Sequence, residues 1–198
     1  MRVINGILKK LAALLLPYLT AECELKQYEL LKKCSNYESG QVGNGLFIEG
    51  ERYIHIGANF HAGKDFRICA IDNYLNNDYM PLIRIGKNVS FEDNCHLGCI
   101  GSITIGDGCM FASKVLIEDH LHGRGTIEEM HNIPANRELY QKNIVIGNNV
   151  LVGDGVCILP GVVLGDNVIV GANAVVTKSF PCNSVIAGVP AVTIRTIE

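Results

Sequence analysis

The 198-residue sequence predicts an all-β fold: a parallel β-helix wound from six-residue units and preceded by short α-helices. Three observations predict it. From Ile56 to about Phe180 an aliphatic or similar residue returns every six positions. Glycine is abundant at 21 of 198, while aromatic residues make up only 7% and Trp is absent. No apolar stripe at three-to-four-residue spacing, the mark of an amphipathic helix, runs through this stretch.

Such a stripe does occur at the N-terminus. Ile4, Ile7, Leu8, Leu11, Leu14 and Leu15 recur at helical spacing, with Lys9 and Lys10 on another face. Leu25, Tyr28 and Leu31 continue a weaker pattern to about Cys34. Residues 1–40 are therefore expected to form amphipathic helices that pack on the main domain or on a neighbouring subunit. Two alternatives share this composition: a signal peptide, and peripheral contact with a membrane surface through residues 1–20. The apolar run is too short to span a bilayer, which takes about 20 residues.

Residues 41–198 make the second domain. The first positions of its hexads run Ile56, Ala62, Ile68; Ile85, Phe91, Leu97; Ile105, Phe111, Ile117; and then, unbroken, Ile146, Val152, Ile158, Leu164, Val170, Val176. The second position is usually Gly or small and the fifth is small or apolar. This suits a short strand plus a corner in which only the first and fifth side chains point inward. Three such faces make one triangular turn, so Leu164 should stack on Ile146 and Val170 on Val152. Glycine is expected to supply the corner conformations. Cys95 and Cys109 fall at inward fifth positions.

Breaks in the period mark additions to the scaffold. Asp72–Leu82 is a polar excursion, Gly101-Ser102 adds two residues, and residues 121–143 form a long insertion beginning beside a histidine pair. Loops on a rigid scaffold are where function concentrates.

Composition excludes several classes. The net charge of −3 and the lack of a Lys/Arg cluster argue against nucleic acid as partner, and 19% charged residues against disorder. The eight cysteines are scattered with no CxxC pair, which reads as free thiols in a reducing cytoplasm. Cys95, His96 and Cys99 lack a second cluster at ligand spacing, so small buried thiols are preferred to metal ligands.

Ile146-Gly-Asn-Asn-Val-Leu-Val-Gly-Asp-Gly-Val-Cys-Ile-Leu-Pro-Gly161, Val170-Gly-Ala-Asn-Ala-Val-Val-Thr-Lys178 and Ala187-Gly-Val-Pro-Ala191 resemble the hexapeptide-repeat acyltransferases. Within that family, Asp119-His-Leu-His-Gly123 is similar to the Asp-His-x-His-Gly stretch of capsule and lipopolysaccharide O-acetyltransferases; the galactoside and maltose enzymes belong to the same branch. The resemblance implies a left-handed β-helix and a homotrimer. It also implies acetyl-CoA as co-substrate in a groove between subunits, no metal, and a sugar or glycan acceptor. Counted from Val115, the family's catalytic histidine matches His122; His120 is the alternative base, with Asp119 orienting it or binding acceptor. A neutral imidazole can take the acceptor's proton during direct transfer in a ternary complex. Glu92 stands where the galactoside enzyme has an acceptor-binding Asn. Gly153, Ala172, Thr177, Lys178 and Arg195 match positions lining the coenzyme A groove. Val192-Thr193 departs from a pattern that often has a basic residue followed by Val.

Three rival functions remain on the same fold: an antibiotic acetyltransferase, a zinc-dependent hydratase of the carbonic anhydrase kind, and an inactive assembly scaffold. The expected location is the cytoplasm, with the inner face of the membrane as a further option.

Overall fold

A computed structural model of the chain describes Leu15, Glu22 and residues 25–198. Leu15 and Glu22 are helical and exposed; the rest of the first amphipathic stretch lies outside the described residues. The helix over 25–31 buries Leu31 as the spacing predicts, but with Gln27 and Leu30 beside it; Leu25 and Tyr28, the other two residues of the predicted face, are exposed. Leu31 is buried, Gln27 Oε1 accepts from the Leu46 N–H at 3.1 Å, and Tyr28 meets Tyr37 edge to face. The helix thus closes the open lower end of the coil.

The coil itself is a left-handed parallel β-helix with three faces. The first face is a six-stranded sheet that includes Ile54–Ile56, Leu82–Ile85, Ser102–Ile105, Ile144–Ile146 and Val163–Leu164. The second, eight-stranded, includes Phe60–Ala62, Ser90–Phe91, Met110–Phe111, Leu151–Val152, Ile169–Val170 and Ser184–Ala187. The third, six-stranded, includes Arg67–Ala70, His96–Cys99, Leu116–Glu118, Cys157–Ile158 and Val175–Val176.

The stacking follows the repeat. Ile146 pairs with Leu164 and Val152 with Val170, in parallel register. Every first position named above is buried, as are the fifth positions from Phe60 to Phe180, Cys95 and Cys109 among them. Burying such a side chain stabilises by about 1.5–3 kcal/mol, so the ladders dominate the fold's energetics. Four of the six phenylalanines gather in the lower coils, where Phe91 and Phe111 stack at 4.3 Å.

The glycines work differently from the expectation. Second-position glycines such as Gly106 and Gly147 do not adopt positive φ. They are small because the next coil passes close by. A Cβ on Gly147 would lie 2.4 Å from Asp166 Oδ1 and 2.7 Å from the Asp166 nitrogen. The left-handed residue is the fourth of the hexad, held by Asn59, Asn88, Gly108, Asn149, Asn167 and Asn173 among others. Asn and Gly tolerate that region better than other residues. The asparagines also bond up the corner: Asn149 donates to Asn167 at 3.3 Å and Asn167 to Asn183 at 2.8 Å.

Two additions leave the coil. Asn73–Tyr74 and Asn77–Asp78 form an antiparallel hairpin whose turn, Leu75-Asn76, has positive φ at both residues. The longer insertion opens with His120–His122, paired antiparallel to Leu139–Gln141, and between them lie a short helix Ile127–Met130 and a 3-10 turn Pro134–Asn136.

Candidate active site

The histidines stand where the third face ends. Leu116–Glu118 is held by parallel pairing to His96–Cys99 below and Cys157–Ile158 above. The hexad then reads Ile117-Glu118-Asp119-His120, with Glu in place of a second-position Gly, and the chain departs into the insertion.

Asp119 is fully buried. Its carboxylate accepts from the Ile100 N–H at 3.0 Å and the Gly101 N–H at 2.8 Å, and from the Cys99 thiol at 3.4 Å. The remaining partner is His120, whose Nδ1 lies 3.0 Å from Asp119 Oδ1. A carboxylate so held fixes the imidazole's ring orientation and leaves Nε2 as its free polar atom. The donor at 101 belongs to the small Gly101-Ser102 addition and the donor at 100 directly precedes it, so two breaks in the period meet here.

His122 is two residues on, exposed, and on the same side of the strand as His120 by alternation. Its Nδ1 is 3.2 Å from the hydroxyl of Tyr74, beside the hairpin turn, and the rings meet edge to face at 5.4 Å. Sequence reading missed Tyr74. The excursion around it was singled out, but nothing in the sequence shows that residue 74 meets residue 122.

The insertion is folded by its own side chains. Thr126 caps the short helix by accepting from the Glu129 N–H, while Glu129 accepts from the N–H groups of Arg124 and Thr126. Gly123 and Gly125 take positive φ to make these bends.

On the outer surface of the third face, His96 Nδ1 and a Glu118 oxygen are 4.0 Å apart. Burial chiefly lowers the His96 pKa from its ordinary value; Arg67 and His120 add to this and Glu118 opposes it. Burial likewise raises the Cys99 thiol, with the Asp119 charge reinforcing it, so Cys99 serves as a neutral donor.

The other sequence-predicted residues lie apart from the histidines. Glu92 is exposed on the corner after Ser90–Phe91, at the end of the second face. Gly153 and Ala172 adjoin on successive coils at the corner between second and third faces: a Cβ on Gly153 would sit 2.7 Å from the Ala172 nitrogen. Arg195 is exposed on Val192–Thr196, opposite Val185 on the second face. Thr177 and Lys178 instead leave the end of the third face, the corner that carries His120, about 10 Å further along at two coil spacings. A single chain therefore does not bring together the residues expected to line the coenzyme groove: Gly153, Ala172 and Arg195 lie on or beside the second face, Thr177 and Lys178 at the end of the third. Among the described residues no group of three or more His, Cys, Asp or Glu is placed to hold a metal ion.

The family described as bacterial transferase hexapeptide (six repeats) matches residues 143–178. A putative lipopolysaccharide biosynthesis O-acetyl transferase of Escherichia coli K12 is 39% identical over 153 residues, 75% of this chain and 74% of that protein. The chain belongs to the hexapeptide-repeat transferases. The galactoside O-acetyltransferase of the same organism is 35% identical over 157 residues, covering 79% of this chain and 64% of that enzyme. Among solved structures, a hexapeptide-repeat acetyltransferase of Vibrio cholerae complexed with acetyl coenzyme A shares the fold. It has a TM-score of 0.60, 24% identity and coverage of 73% and 71% of the two chains. Membership places the scaffold residues of this hexapeptide-repeat transferase in the coil and its distinguishing residues in the insertions.

Proposed function

We propose that the protein is an O-acetyltransferase that moves acetyl from acetyl-CoA to a hydroxyl of a sugar or of a polysaccharide or lipopolysaccharide precursor. The observation that carries this reading is the histidine pair at the departure from the third face, each ring engaged through Nδ1, in a chain akin to two O-acetyltransferases. His122 is the general base. Its Nε2 takes the proton of the acceptor hydroxyl as that oxygen attacks the thioester carbonyl. The tetrahedral intermediate then collapses, the C–S bond breaks, and the imidazolium returns its proton to the departing coenzyme thiolate. Holding both substrates on a rigid coil supplies much of the rate by positioning. The buried Asp119–His120 pair flanks the base and orients it or the acceptor.

A trimer with the coenzyme lying between copies fits the separation of Gly153, Ala172 and Arg195 from Thr177 and Lys178. One chain would offer the close-packed small residues, its neighbour the lysine for the phosphates. Glu92 reaches the acceptor only across such an interface. The seven described cysteines are all unpaired, which supports the cytoplasm as location. Among the described residues no helix is long and apolar enough to cross a membrane.

The test is thiol release from acetyl-CoA with a panel of sugars, glycan precursors and antibiotic alcohols. His122→Ala is expected to lose about 100-fold or more in turnover while keeping its oligomeric state. Normal turnover in that variant with loss in His120→Ala moves the base two residues upstream. Stoichiometric zinc that disappears with His122→Ala, or no thioester cleavage by the wild type on any acceptor, overturns the assignment.

A further inference from the structure

We infer that Tyr74 is a positioning residue that fixes the tautomer of His122 and ties the two insertions of the coil together. The protons available at this contact decide the tautomer. The Tyr74 hydroxyl oxygen lies 2.9 Å from the carbonyl oxygen of Ala135, in the 3-10 turn of the long insertion. A carbonyl only accepts, so the single phenolic proton belongs to that bond. The Tyr74 oxygen then meets His122 Nδ1 at 3.2 Å with no proton of its own to give, and the proton between them belongs to the imidazole. Nδ1 carries hydrogen, and in the neutral ring Nε2 carries the lone pair.

The hairpin is built to hold that position. At its root the Asp72 carboxylate pairs with Arg52 and accepts from the Tyr53 hydroxyl at 3.1 Å. Across the strands Asn73 Nδ2 donates to Asp78 at 2.8 Å, and the Tyr79 N–H donates to the Asp72 carbonyl at 2.7 Å. The turn places Leu75 in the left-handed region, which a branched side chain enters at a cost. The hairpin is thereby short and pinned at its root, and Tyr74 stands beside its turn, against the long insertion. The excursion at 72–82 so acquires a role at the site: it supplies the orienting partner of an exposed histidine, as Asp119 does for the buried one. This inference deepens the assignment of His122 as base, and it rests on that assignment only in calling the free nitrogen the reacting one.

Side-chain nitrogen NMR of the full protein labelled at histidine tests it directly, in the absence of acetyl-CoA and acceptor. In the neutral ring of His122, Nδ1 is expected in the protonated range and Nε2 in the unprotonated range. In Tyr74→Phe the signal should move toward the opposite tautomer, the commoner one in a free histidine side chain, and amide exchange of residues 132–137 should quicken. Turnover in Tyr74→Phe should fall about 10-fold at an unchanged KM for acetyl-CoA, as loss of an outer orienting partner does. A wild-type His122 carrying its proton on Nε2, or a tautomer and turnover both unmoved by Tyr74→Phe, overturns the inference. The wild-type spectrum alone decides if the variant fails to fold. If His122→Ala keeps full turnover while the spectrum is as expected, the base assignment falls and the tautomer clamp stands.

Discussion

Asp166 and Asp119 occupy the same third position of the hexad and live in different surroundings. Asp166 lies in the unbroken run of coils, where Oδ1 accepts from the Asn148 N–H on the coil below. Asp107 and Asp93 do the same for Lys87 and Lys64. Each stands at a wet corner. Asp119 sits between two breaks of the period, fully buried, with two backbone donors, a thiol and a histidine around it. The difference shows how this scaffold gains chemistry. A residue that serves the corner elsewhere is enclosed when two extra residues reroute the coil beneath it and an insertion leaves above it.

The largest effect that can break this comparison is the loss of the buried carboxylate. Asp119→Ala strands two N–H groups and a thiol inside the protein and is expected to cost about 3 kcal/mol. Thermal unfolding should show it as a Tm lower by about 6–12 °C for a chain of this length. Asp166→Ala should cost about 1 kcal/mol or less, since water can replace its exposed bonds to the backbone and side chain of Asn148. Equal losses in the two variants would mean that burial adds nothing.

A smaller effect sharpens the regular half. Gly147→Ala forces its Cβ against the Asp166 backbone and carboxylate and should destabilise by about 1–3 kcal/mol, read by denaturant midpoint. An unchanged midpoint would show that the corners are looser than their spacing implies.

The smallest effect concerns pH. His96 beside the site has its pKa depressed, so the unfolded chain binds the proton more readily than the folded one. Its contribution to stability is present above about pH 6.5 and is lost as pH falls from there through the folded value. His96→Asn should flatten that part of the acid limb of the stability profile. An acid limb identical to wild type assigns the drop to other groups.

The coil was readable because its inward positions are spaced by backbone geometry and filled by Ile, Val and Leu, which repeat visibly. Its corners were misread for a physical reason. A glycine in a repeat signals either a left-handed backbone or a close approach, and only the structure separates the two. The asparagines were the better signal, since Asn recurring at the fourth position of many hexads is hard to explain unless φ is positive there. The histidine pair was legible as a break in register. Its supports were not: Asp119 is held by the N–H groups of residues 100 and 101, 19 and 18 positions earlier, and Tyr74 reaches His122 across 48 residues through two insertions.

The last strand, Val192–Thr196, runs antiparallel to Ser184–Ala187 and forms the edge of the eight-stranded sheet. Every other neighbour in that sheet is parallel, so a coil of one chain could in principle template the next copy end to end. The reversed strand changes the hydrogen-bonding pattern offered to an incoming coil and presents exposed Arg195 along it. Natural sheets use such devices against edge-to-edge growth. The reversed strand thus takes up, within the chain, the backbone hydrogen bonds that Ser184–Ala187 would otherwise leave open at the sheet edge.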